Sequence, residues 1–234
     1  MKHASLLGLV GVCAALVSPV GTAAVIYDVA ADWSTTDNPN GPWSYLHGTA
    51  LLPNQPTACC GLPAAPSFAP SHVPGTFLPV FGQATSGADI YVHSYDPFNG
   101  GAAQGEAVLA WTAPMSGLAD VSGYFYYSQI TDQRSNDVSI RLGSSVLGSA
   151  VLSYLDHQDE ANRWSFSFNN LAVNTGDMLT MVFQRSAGQS AGSSNVGNLT
   201  VTLTAAAVPA PPTGALIFAG MAALIGSLVR RRAA

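Results

Sequence analysis

The residues best placed to do chemistry in this 234-residue chain are few. Asp156-His157-Gln158-Asp159-Glu160 is its densest acidic run. Hard cations take six or more oxygen ligands, which makes this run a calcium candidate. Asp132 with Asn136 and Asp137, and Asp89 with Asp96, are candidates of the same kind. The bland alternative for each is a solvated loop, so no metal or other cofactor is assigned. Glycan hydrolysis needs paired carboxylates about 5–10 Å apart. With Glu106 and Glu160 the only glutamates, it would require Asp156, Asp159 and Glu160 to converge with Glu106 or Asp96. His47, His72, His93 and His157 stand singly, and no metalloprotease, nucleophile-elbow or phosphate-loop motif occurs. No catalytic residue is assigned, and the chain reads as a non-enzyme.

Sugar recognition asks for flat aromatic faces beside hydrogen-bonding side chains. Trp33, Trp43, Tyr45, Tyr91, Tyr95 and Trp111 are available. Trp43 and Tyr45, at i and i+2, share a strand face and are flanked by Asn38 and Asn40. Together with Trp111 they are the candidate glycan contacts. The competing reading is that aromatics at strand spacing fill the core. Cys59-Cys60 is unusual. Such a pair can close a strained vicinal ring, cross-link to another chain or stay reduced, and the vicinal disulfide is the favoured expectation.

The element that must position these residues is β throughout. Arg163–Phe168, Leu199–Thr204 and Val138–Leu142 alternate apolar and polar strictly, the mark of a sheet with one buried face. Further strands are expected at Val25–Val29, Ala88–Tyr95, Glu106–Thr112, Leu118–Ser128, Val146–Tyr154, Leu171–Val173 and Met178–Arg185. Turn signals such as Asn99-Gly100-Gly101 and Thr175-Gly176-Asp177 separate them. Gly123 and Gly148 fall inside strands, where glycine marks bulges. Residues 51–80, rich in proline and alanine, read as an irregular excursion. The expected fold is all-β, a two-sheet antiparallel β-sandwich of jelly-roll type, over residues 25–207.

Two short segments flank it. Met1-Lys2-His3, an apolar run to Val17, Ser18-Pro19 and the small residues Gly21–Ala24 have the layout of a secretory signal peptide, residues 1–24. At the other end a proline-rich stretch is followed by 16 uncharged residues, 214–229, about 24 Å as a helix. Arg230-Arg231-Arg232 closes it as a stop-transfer cluster. Only 9% of the chain is charged. Residues 25–207 hold all thirteen carboxylates but four arginines, for a net charge of −9, which repels nucleic acid and anionic lipid.

Val208-Pro209-Ala210-Pro211, the short span and the triple arginine together resemble the PEP-CTERM sorting tail of Gram-negative bacteria, here residues 208–234. Ala210 stands where that family usually has glutamate. Asp37–Tyr45, with its Asn-Pro-Asn-Gly-Pro-Trp-Ser-Tyr core, is similar to a segment near the mature start of many proteins carrying such tails. Ala110-Trp111-Thr112-Ala113-Pro114 and Gly176-Asp177-Met178-Leu179 are similar to strand signatures of the same domains. The resemblance implies recognition by exosortase, a membrane-embedded cysteine protease, a transient inner-membrane stage, and a final place at the cell surface or in an extracellular polysaccharide matrix. It implies a carbohydrate-binding-like jelly roll whose partner is exopolysaccharide. Two alternatives stand beside it: a secreted glycan-active hydrolase or lyase on the same fold, and a sortase-anchored adhesive module, since Ala210–Gly214 is one substitution from the Leu-Pro-x-Thr-Gly signal.

Overall fold

The computed structural model describes residues 23–55, 67–68, 79–84, 87–94, 106–128 and 134–206. Residues 1–22 of the signal peptide, the sorting tail, Cys59, Cys60, His72, Tyr95, Asp96 and Asp132 lie outside the described residues. No described helix is long and apolar enough to cross a membrane.

Fourteen strands are described: β1 Ala24–Asp28, β2 Trp43–His47, β3 Ala50–Leu51, β4 Asn54–Gln55, β5 Ser67–Phe68, β6 Val80–Gln83, β7 Asp89–Ser94, β8 Ala107–Thr112, β9 Gly117–Tyr127, β10 Ser135–Leu142, β11 Ser145–Ser153, β12 Trp164–Val173, β13 Met178–Arg185 and β14 Gly192–Ala205. The sole described helix is a 3-10 turn at Glu160–Asn162. One antiparallel sheet runs β12-β9-β14-β7-β6-β5-β4, with β1 also on β14, and the other runs β11-β10-β13-β8-β2-β3. The last eight strands pair in nested fashion: β7 with β14, β8 with β13, β9 with β12 and β10 with β11. These four pairs fall alternately in the two sheets, so one long two-legged hairpin is rolled up on itself. That winding is a jelly roll, as the alternation and turn signals led us to expect.

The inner faces enclose one apolar core. Trp43 and Trp111, opposite each other on β2 and β8, are fully buried. Tyr45 stacks on Phe68 with ring centroids 5.1 Å apart, and Phe125 meets Phe183 edge-on across the sheets at 5.2 Å. Fully burying a large apolar side chain is worth about 1.5–3 kcal/mol, so these rings dominate the stability. Buried within this apolar interior is a polar clamp. Asn136 of β10 accepts from Ser94 of β7 and donates from Nδ2 to Ser194 of β14 at 2.8 Å, all three fully buried. It joins the two sheets by side chains alone. Gly192 leaves the room for it, since a Cβ there would collide with the Asn136 Oδ1 and the Ser94 hydroxyl.

Bulges differ in part from the expectation. Gly148 does lie at one, where the β10–β11 register shifts beside Ile140. Gly123 lies opposite one: Asn198 and Leu199 of β14 face it where the register shifts between Gly197 and Thr200, and a Gly123 Cβ would lie 3.0 Å from the Leu199 Cα. The strands expected at Arg163–Phe168 and Leu171–Val173 are a single strand, β12, carrying a bulge between Phe168 and Leu171. The excursion over residues 51–80 contributes β4, β5 and the start of β6 to the sheet edge.

Gly192→Ala overpacks the clamp, a change that costs about 1–3 kcal/mol. Asn136→Ala strands two buried hydroxyls at a similar cost. Both variants are expected to melt several degrees below wild type. Tyr45→Phe removes a buried hydroxyl that has no hydrogen-bond partner, so its melting temperature is unchanged or higher. Thermal unfolding of the three variants checks this.

Candidate functional site

The expected glycan contacts are in the wrong place for that role. Trp43, Tyr45 and Trp111 are each fully buried between the sheets, so none presents a face to a sugar. Their role is packing. The Trp43 indole donates to Asp32 at 3.2 Å. Asn38 and Asn40 are spent on backbone: Asn38 Nδ2 donates to the carbonyls of Tyr45 and Leu52 at 2.7 and 2.8 Å, and Asn40 Nδ2 to that of Asp32 at 2.7 Å. The Asn-Pro-Asn-Gly-Pro-Trp-Ser-Tyr segment is therefore a clamp that seats β2 on its loop. Trp33 packs against the same core, 4.8 Å from Tyr45.

The carboxylate clusters also come apart. Asn136 points into the core while its neighbour Asp137 is exposed on the opposite face, as strand alternation requires, so the two do not share a cation. Asp159 caps the 3-10 turn, accepting from the Asn162 backbone N–H at 2.9 Å. Among the described residues no group of three or more His, Cys, Asp or Glu is placed to hold a metal ion. Glu160 is the exception to this dispersal, and it leads to the site.

On β9 the inward residues are Ala119, Val121, Phe125 and Tyr127, so Tyr124 and Tyr126 project from the outer face. Register carries that face across three strands. Tyr91 of β7, Asn195 of β14 and Tyr126 form one row, and Asp89, Gly197 and Tyr124 the next. A Gly197 Cβ would fall inside the Tyr124 ring, so the missing side chain seats that ring flat on β14. Arg163 covers the ring's other side, its guanidinium 4.4 Å from the centroid, and pairs with Glu160 at 3.8 Å. The Tyr124 hydroxyl donates to Glu160 at 2.8 Å and the Tyr126 hydroxyl to Asp89 at 2.7 Å. Ser193 donates to the Tyr91 hydroxyl at 2.8 Å. Tyr91 and Tyr126 stay half-buried. Between them Asn195 bonds the Tyr126 hydroxyl, yet its Oδ1 is buried and has no partner.

The patch is rich in acceptors. Both tyrosine donors are already committed to Asp89 and Glu160, and an unmet amide oxygen lies between two rings. Such a surface takes a molecule that offers hydroxyl donors and apolar C–H faces together. Burial lifts the Asp89 carboxyl above the usual carboxylate range, and the Glu160 charge adds to the lift against the opposing Tyr126 hydrogen bond. At the edge of the same face, burial pulls His93 down to about 4, helped by the Arg134 charge and opposed by a backbone hydrogen bond at Ser94. Of these residues, Asp89, Tyr91, His93 and Glu160 are among those singled out from the sequence. Tyr124 and Tyr126 are not, although their place on the polar side of a strand whose other side is Val121 and Phe125 was readable from alternation.

No known protein family matches the chain, and no curated protein does. Solved structures give distant likenesses. The chain aligns over 77% of its length with 99% of a CBM35 module from Paenibacillus barcinonensis, at 12% identity and a TM-score of 0.32. It aligns over 76% with 97% of a family 35 carbohydrate-binding module from Clostridium thermocellum, at 13% identity and a TM-score of 0.31. An arabinose-bound MgGH51 α-L-arabinofuranosidase matches 53% of the chain at 9% identity and a TM-score of 0.36, and there the chain spans 21% of the enzyme's length. Likenesses this distant fix neither a family nor a ligand.

The two shifted groups act on stability in opposite senses. His93 folds with its pKa below the unfolded value, so between about pH 6.5 and 4 the unfolded state binds more protons and stability falls on acidification, by about 3 kcal/mol. Asp89 folds with its pKa raised, so its contribution is present at acid pH and lost as pH rises through the folded value. Melting temperatures from pH 4 to 8 are expected to drop toward acid in wild type, to drop less in His93→Gln and to drop more steeply in Asp89→Asn.

Proposed function

We propose that this chain is an exported, non-catalytic bacterial surface or matrix protein whose sandwich binds extracellular polysaccharide through the Tyr91–Asn195–Tyr126 row. The observation that carries the binding reading is the unpartnered Asn195 Oδ1 held between two half-buried tyrosines. Leaving a buried acceptor unmet costs about 1–3 kcal/mol, and a sugar hydroxyl on the row recovers it once the Asn195 amide turns out from between the rings to meet it. Asp89 and Glu160, held by tyrosine hydroxyls, supply further acceptors to flanking hydroxyls. The acidic, lysine-free sandwich suits a neutral or amine-bearing saccharide better than an anionic one.

The route outward rests on the two chain ends. Residues 1–24 direct export. Residues 214–229 hold the chain in the inner membrane with Arg230–Arg232 on the cytoplasmic side, and exosortase acts at Val208-Pro209-Ala210-Pro211. The hydrolase alternative is weaker on the placement of its own residues. Asp159 is committed to a turn, and among the described members of the expected cluster Glu160 is the one that reaches the tyrosines of the sheet face.

On a glycan array the secreted protein is expected to mark a restricted set of neutral or amino sugars. Tyr126→Ala is expected to lower the affinity for them at least about tenfold, the scale of one lost stacking and hydrogen-bonding contact. An array that stays blank for wild type overturns the binding reading. Intact mass of the extracellular protein tests the route separately: a chain that begins near Val25 and lacks Arg230–Arg232 is expected, and one that keeps the triple arginine refutes tail processing.

A further inference from the structure

The outer face of the other sheet carries an open trough of about 450 Å³ along β10, bordered by β11 and β13. Its floor is built in rows. Val151, Asp137 and Gln184 lie side by side, then Ser149, Ser139 and Val182, and Arg141 closes the far end beside Thr180. Asp137 and Arg141 are four residues apart on one strand, about 13 Å by strand rise, too far to pair with each other. Neither is in an ion pair among the described residues, where Arg163–Glu160 is the one such pair. Both are held in place by hydroxyls: Ser186 donates to Asp137 Oδ1 at 2.6 Å, and Arg141 Nε donates to Ser139 at 3.0 Å. Two oriented, uncompensated charges of opposite sign thus stand at the two ends of a solvent-filled depression.

The chemistry of the trough narrows its occupant. β10 is an interior strand, bonded to β11 on one side and β13 on the other, so an extended peptide cannot add to it through backbone hydrogen bonds and a ligand is held by side chains. A polyphosphate chain gains at Arg141 but is repelled by Asp137, on a domain of net charge −9. A chain of sugar rings meets every group present. Its hydroxyls donate to Asp137, accept from Arg141, and do both with Ser149 and Gln184, while Val151 and Val182 lie under C–H faces.

We propose that this trough is a second saccharide site, so that the sandwich binds one chain on each of its two sheets and bridges them. The bridging rests on the glycan reading of the tyrosine row; the second site does not. Because the sheets lie back to back, the two sites face away from each other and cannot share one short ligand. Two linked sites raise the apparent affinity for a polymer without any new contact.

Affinity electrophoresis of the secreted protein through gels containing xylan, hydroxyethylcellulose, chitosan or alginate, with light scattering of the same mixtures, tests it. Wild type is expected to be retarded in at least one gel and to cluster that polysaccharide. Tyr126→Ala/Asn195→Ala and Asp137→Ala/Arg141→Ala are each expected to keep binding about tenfold more weakly and to lose clustering. The variant carrying all four substitutions is expected to migrate freely. Asp137 and Arg141 face solvent, and an unchanged melting temperature confirms that the trough variant is folded. A trough variant retarded and clustering like wild type overturns the second site while leaving the first reading intact. Binding that vanishes with the tyrosine-row substitutions alone does the same. Retention abolished by the trough substitutions alone overturns the first reading and the bridging, and keeps the trough. No retention of wild type in any of the four gels overturns both.

Discussion

Everything on both faces of this sandwich depends on strand parity. A strand with one buried face must place an apolar side chain inward at every second position, and a long strand that drifts from this rule has to reset it. The two strands flanking β9 both reset. In β14 the inward residues change from Val196 to Leu199, and in β12 from Phe168 to Leu171. Each reset passes through an asparagine in the left-handed region, Asn198 at φ 46° and Asn170 at φ 57°, a conformation asparagine tolerates better than most residues. Asp120 accepts from the freed Asn170 N–H at 2.7 Å. The β14 reset also fixes what lies outside. It keeps Gly197 on the outer face, opposite Tyr124, and the ring lies where a side chain would have been. From that contact follow the cover by Arg163, the reach of Glu160 and the spacing of the Tyr91–Asn195–Tyr126 row.

The same rule explains what was legible in the sequence. Where alternation ran unbroken, as in Arg163–Phe168 and Leu199–Thr204, the strands were found at their observed positions. Gly192–Asn198 was not, because Gly-Ser-Ser-Asn-Val-Gly-Asn is turn-like in composition and its inward residues are out of phase with those after the bulge. The nested pairing of eight strands is a non-local property that composition and period do not encode. Only the strand count and the turn signals hinted at it.

The Trp43–Tyr45 reading failed for a related reason. Spacing of two says that side chains share a face, and nothing about which face. In Trp43-Ser44-Tyr45-Leu46-His47 the intervening residues, Ser44 and Leu46, are one polar and one apolar, so the strand lacks a plainly wet side. Leu46 in fact joins a small second cluster with Val108, Ala110 and Val182 on the outside of its sheet. In Asp120-Val121-Ser122-Gly123-Tyr124-Phe125-Tyr126 the two sides are distinct, and the tyrosines fall with Asp120 and Ser122. Aromatics point to a binding face when their own side of the strand is otherwise polar, and to a core when it is not.

The scarce charge can now be placed residue by residue. Four of the eleven described carboxylates hold backbone at turns. Asp28 accepts from Ala30 and Ala31, Asp32 from Asp28, Asp159 from Asn162 and Asp177 from Asn174. Carboxylates used this way stabilise turns through charge-assisted hydrogen bonds and leave little field for an ionic partner. Three others do no such work: Asp89 and Asp137 stand on sheet faces, and Glu160 reaches the Tyr124 hydroxyl from the 3-10 turn. A charge on a sheet face is costly to desolvate and brings little stability of its own, so its presence there calls for a ligand or a partner in a way that the turn aspartates do not. Only 9% of the chain is charged, and Asp89, Glu160 and Asp137 put acceptors on the outer faces of both sheets. The low overall charge and the location of the exceptions are one design: a neutral hydrogen-bonding surface with acceptors concentrated on opposite sides.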